Sequence, residues 1–174
     1  MQESQTQHPQ VAEWLVEATK LKETVLARLD SMPETQRVKE PGPGEWPASS
    51  VVEHLILFEE NVAGPWRQKL LDAPSTKTSF KSSLLSLIVR FVVSKTGVRV
   101  PTLPELEPKE VLGADALRDR WNAVRERLVA ALPADTGGAW IVHPALGPLS
   151  SEQIGKLLAA HIEHHLRHWP SPKA

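Results

Sequence analysis

Apolar residues recur every three or four positions along most of this chain, with charged residues between them. That spacing belongs to amphipathic helices that bury one face. Four long segments show it. The first predicted helix runs from about Pro9 to Leu29, with Val11, Leu15, Ala18, Val25 and Leu29 near one face. Pro9 suits a first turn, where its missing N–H costs nothing, and Met32-Pro33 marks the end. The second runs from about Ala48 to Leu71, and Val51, Leu55, Phe58 and Val62 step along it. Ser50 and Glu53 predict a capping box at its start. The third runs from about Glu110 to Leu132. Leu117, Trp121, Val124, Leu128 and Ala131 alternate four and three, as in a bundle seam. The fourth runs from about Ser151 to Trp169, with Ser150 and Gln153 as a second capping box and Pro170 as its stop.

A long connection, roughly residues 73–109, separates the second and third helices. It holds the apolar stretch "LLSLIVRFVV", Leu84 to Val93, which predicts an extra short helix, and then the Pro-rich "VRVPTLPELEP". The stretch is too short to span a bilayer and contains Arg90. Strand signals are weak, and "AWIVHP" reads as loop. The expectation is an all-α fold, a four-helix bundle with one long connection between helices 2 and 3. It forms a single domain over residues 1–174 with its core at about 9–169.

Composition narrows the chemistry. With 174 residues and a formal net charge of −1, nothing points to nucleic acid or to an acidic tail. There is no cysteine. Disulfides, thiolate metal sites and a cysteine nucleophile are excluded, so any thiol chemistry must use an external small molecule. The N-terminus "MQESQTQHPQ" has no apolar leader, and no segment predicts membrane insertion. A cytoplasmic location is the default expectation.

The last helix ends in "HIEHHLRHW", residues 161–169. Helical phase divides its histidines. His161 and His165 are one turn apart and lie on the apolar face, so their rings can share one ion. His54 occupies an apolar-face position on the second helix. A single core histidine reads as a hydrogen-bonded packing residue. Three on facing helices make a set of neutral nitrogen ligands with positions left open for water or substrate. His164, at i+3 from His161, is an alternative partner. His164 and His168 form their own i,i+4 pair on an adjacent face, where positive charge suits a helix C-terminus. His8 is isolated, and His143-Pro144 reads as a loop anchor. No glutamate follows His161, so the H-E-x-x-H pattern is absent. Glu53 precedes His54 but points about 100° round the helix, which leaves the general base unassigned. Trp46, Trp121, Trp140 and Trp169 are candidates for pocket lining or for core.

Three segments carry a family resemblance. They are "GEWPASSVVEHLILFEE" (44–60), "VHPALGPLSSEQ" (142–153) and "HIEHHLRHW" (161–169). In order and context they resemble the DinB-like superfamily of metal-binding helix bundles, over nearly the whole domain. The resemblance implies an up-up-down-down-like bundle, often a homodimer. It implies a divalent ion, usually nickel or zinc, held by three histidines. By position these are His54, His161 and His165, not His164. One departure is His168, where many members have Gln. Residues 84–104 look like the longer inter-helix insertion of some members. Relatives include thiol-dependent transferases and isomerases that use a low-molecular-weight thiol, metal-dependent hydrolases, and proteins with no shown activity. The expected partner is a small-molecule substrate.

Overall fold

A computed structural model of the chain describes residues 9–72, 102–132 and 138–170. Helices dominate them. The long ones are α1 (Pro9–Asp30), α3 (Ala48–Ala63), α5 (Ala114–Ala131) and α6 (Ser151–Arg167), and the short ones are α2 (Glu34–Arg37) and α4 (Pro65–Asp72). A 3-10 turn covers Pro104–Leu106. α1 packs chiefly against α6, and α3 against α5. Their shared core includes Leu26, Leu55, Ile56, Trp121, Leu128, Ile154 and Leu158, all buried. The all-α bundle expected from the spacing is the fold observed, and the predicted short helix at 84–93 lies outside the described residues.

Four expectations need correction. The second predicted helix is two, because Pro65 has no N–H to continue the ladder and its ring clashes with the preceding turn. Gly64 leaves helical geometry there, at φ −125° and ψ −97°. The third begins at Ala114, not near Glu110, with Gly113 in an extended conformation as its N-cap. The Ser50–Glu53 capping box does not form. Pro47 is the N-cap, without a side-chain bond, so Ser50 falls inside the helix and Glu53 is free for another role. Finally, Ile141–His143 is a strand, β1, not loop. It pairs antiparallel with β2 (Gly147–Leu149), with Val142 opposite Pro148. Gly147, at φ +74°, takes the left-handed conformation that glycine tolerates best. The Ser150–Gln153 capping box forms as expected, with Gln153 N–H donating to Ser150 Oγ at 3.3 Å and Ser150 N–H to Gln153 Oε1 at 2.9 Å.

One buried polar cluster crosses the bundle. Arg125 Nε and Nη2 donate to the two Glu59 oxygens at 2.7 and 2.5 Å. Trp121 Nε1 donates to Glu59 at 2.8 Å, and Arg125 Nη1 to Thr19 Oγ1 at 3.0 Å. The cluster therefore joins α1, α3 and α5, and each charge has a hydrogen-bonded counter-charge, as burial requires.

Candidate metal centre

His54 lies in the middle of α3, on the face that the sequence phase predicts. His161 and His165 lie one turn apart in α6. The three rings converge edge to face, with centroids 4.9 to 5.0 Å apart. His161 Nε2 sits 3.1 Å from His54 Nε2 and 3.2 Å from His165 Nε2. Four-coordinate zinc holds nitrogen ligands about 2.0–2.1 Å away, which places them roughly 3.4 Å from one another. The observed separations are close to that. One ligand atom from each residue lies within 4.8 Å of the others, so the group could hold a metal ion.

The proton inventory agrees with such a use. His54 Nδ1–H donates to the Leu106 carbonyl at 2.9 Å, which turns the Nε2 lone pair toward the cluster. Burial lowers the pKa of His54, against the raising effect of that hydrogen bond. Burial first, and then the neighbouring histidines, push His161 and His165 well below the ordinary imidazole value. Neutral imidazole is the form that binds metal. His54 Nε2 presents a lone pair to the other two rings, and a divalent cation can take the place of any proton shared between them. His161 Nδ1 is buried without a hydrogen-bond partner among the described residues.

The chain builds a support around these rings. Trp46, half-buried, packs on His54 with centroids 5.1 Å apart, tilted by 49°. Phe58, one turn after His54, meets His161 at 4.5 Å and Trp66 at 5.4 Å. Glu53 is almost fully buried and accepts from the backbone N–H groups of Lys109 and Glu110 at 3.2 to 3.3 Å. His54 and Glu53 thus secure the 104–110 segment to α3 by two independent links. Glu53 holds backbone at this point.

His143 anchors the hairpin. Its Nδ1 accepts from the backbone N–H groups of Ala145 and Leu146 at 3.1 and 3.2 Å, from the end of a strand and not from loop. The remaining proton is therefore on Nε2. Its ring packs on Trp66 at 4.5 Å. Of the four tryptophans considered, Trp121 and Trp140 are core, whereas Trp46 and Trp169 are half-buried. His164 and His168 lie outside the convergent trio. His8 lies outside the described residues.

The signal that found the trio is side-chain phase. The same signal places Phe58 beside His54, at i+4. No residue-type signal could find the Leu106 carbonyl, and Glu53 was hidden by its resemblance to a cap.

Compared with known proteins, residues 17–169 match the family model described as the DinB superfamily. No curated protein and no solved structure matches the chain.

Proposed function

The chain belongs to the DinB superfamily, and on that premise we propose that His54, His161 and His165 hold one divalent transition-metal ion, zinc or nickel, in a catalytic site. The observation that carries this reading is the convergence of three neutral Nε2 atoms at 3.1 and 3.2 Å. An imidazole set suits zinc, nickel or copper better than magnesium or calcium. A divalent ion bound there supplies Lewis acidity and lowers the pKa of a thiol or water on its open side.

The chain's own residues supply orientation and dryness. Leu106 fixes the His54 tautomer and ring angle. Trp46 and Phe58 wall two of the rings with apolar surface, and the 104–110 segment closes over α3. The reaction we favour is transfer of a small thiol cofactor to an electrophilic small-molecule substrate. A thiol is more acidic than water and asks less of a base, and Glu53 is committed to Lys109 and Glu110. With no cysteine in the chain, the thiol comes from outside. Hydrolysis is the alternative chemistry at the same site. A non-catalytic metal- or ligand-binding protein is the second reading, and the same three-histidine convergence also fits it. The family resemblance further supports a homodimer, the chain length supports a single domain over 1–174, and the cytoplasm is the default location in this reading.

The first test is metal stoichiometry. Tag-free protein dialysed against zinc or nickel binds at the trio with high affinity. His54→Ala and His165→Ala each weaken that site by more than about 100-fold, beyond what a lost outer partner costs. Wild-type affinity in both variants overturns the ligand assignment. With metal loaded, conjugation of a thiol to an electrophile separates the transferase reading from ester hydrolysis, and silence in both assays favours the non-catalytic one.

A further inference from the structure

We propose that His164 and His168 form a second metal site, solvent-facing, that loads the three-histidine centre beside it. The two residues are one turn apart at the end of α6. Their ring centroids are 4.6 Å apart, close to the 4.9 to 5.0 Å separations within the trio. Two imidazoles at this spacing can turn one nitrogen each toward a common ion.

The tautomer of the outer ring is already set. His168 Nδ1–H donates to the His164 carbonyl at 2.9 Å. That leaves Nε2 with its lone pair, the same arrangement that the Leu106 carbonyl imposes on His54. His168 is exposed and is the C-cap of α6, at φ −104° and ψ 28°. The terminal carbonyls of a helix carry partial negative charge, which favours a cation at this end. Arg167 directly precedes His168 on the same turn, and its guanidinium pairs with the Glu163 carboxylate. Two nitrogen ligands with water in the remaining positions make a weaker site than three. Imidazole donors suit copper, nickel, zinc or iron and disfavour magnesium and calcium.

The position gives the pair its role. The His164 ring is 5.2 Å from that of His165, so the pair adjoins one of the three inner ligands. His54 is buried, whereas His168 is exposed. An ion captured at His168 and His164 is held one residue from the inner set. The loading role rests on the inner site proposed above, and the chelate itself does not.

The test uses tag-free, full-length protein stripped with a chelator and titrated with nickel against a chromophoric competitor. The wild type binds two ions, the second at least about tenfold more weakly, as expected for fewer ligands. His164→Gln/His168→Gln binds one, with the tight site unchanged. His54→Ala/His161→Ala also binds one, at the weaker affinity. A single wild-type ion that His164→Gln/His168→Gln still binds, or a His164→Gln/His168→Gln variant that binds two, overturns the second site. Tight binding that survives in His54→Ala/His161→Ala overturns the inner site instead. Loading is read by stopped flow from tryptophan quenching at low nickel. His168→Gln, at an exposed position, slows it several-fold, and an unchanged rate overturns the loading role.

Discussion

His143 shows how one residue can couple a fold to pH. It accepts two backbone N–H bonds at Nδ1, and burial lowers its pKa from 6.5 to about 4, with the Glu105 carboxylate opposing the shift. The folded protein therefore keeps this ring neutral where the unfolded chain begins to protonate it. A depressed pKa contributes stability above the unfolded value, and that stability is lost as pH falls toward the folded one. The window is pH 6.5 down to about 4, and the whole span is worth on the order of 3 kcal/mol. His143→Gln removes this dependence. Urea titrations across the window show the stability gap between wild type and variant narrowing as pH falls, and a constant gap refutes the assignment. His143 was readable as an anchor because a histidine before proline in a Gly-rich stretch suits a turn. Its proton position was not readable, since it depends on two amide groups that only the hairpin brings into place.

At the scale of elements, the α1–α6 contact depends on a small residue. A Cβ added to Gly155 would lie 2.9 Å from the Cβ of Trp14. That neighbour is close to the backbone and cannot swing aside. Gly155→Ala gains helix propensity but forces the two helices apart, with an expected net loss of about 1–2 kcal/mol. Thermal unfolding of the variant checks it, and a raised Tm contradicts the close approach. The four long helices were legible because an apolar period of three to four fixes which side chains face inward. His54, His161 and His165 came together through that same phase. Boundaries were less legible. α3 starts at Ala48 as read, but its cap is Pro47 and not Ser50, and Pro65 ends it early. A strand of three residues such as Ile141–His143 is too short for alternation to show. The second link to the 104–110 segment, from Glu53, joins residues far apart in the chain, and local pattern carries no trace of it.

Among the described residues, the apolar core and the buried Glu59–Arg125 cluster hold the bundle together. Glu59 and Arg125 are both nearly inaccessible, at 1% and 5%. Removing one partner leaves an uncompensated charge in the interior. Arg125→Met therefore costs about 3–5 kcal/mol. Glu59→Leu/Arg125→Met recovers part of that loss, though not all, because Trp121 Nε1 and Thr19 Oγ1 lose their partners as well. Chemical denaturation of the single and double variants reads the coupling, and additive losses refute it. The cluster joins α1, α3 and α5, while the proposed metal ligands come from α3 and α6. α3 is the one helix common to both.

The Leu106 carbonyl has a consequence for descent. The group that sets the His54 tautomer belongs to the main chain, so it is independent of which amino acid occupies position 106. Any apolar residue that fills the buried space there keeps the acceptor. What a lineage must inherit is the turn at Pro104–Leu106 and the two links that seat it on α3. Relatives can therefore diverge in the letters of this segment and keep the same support beneath the first histidine.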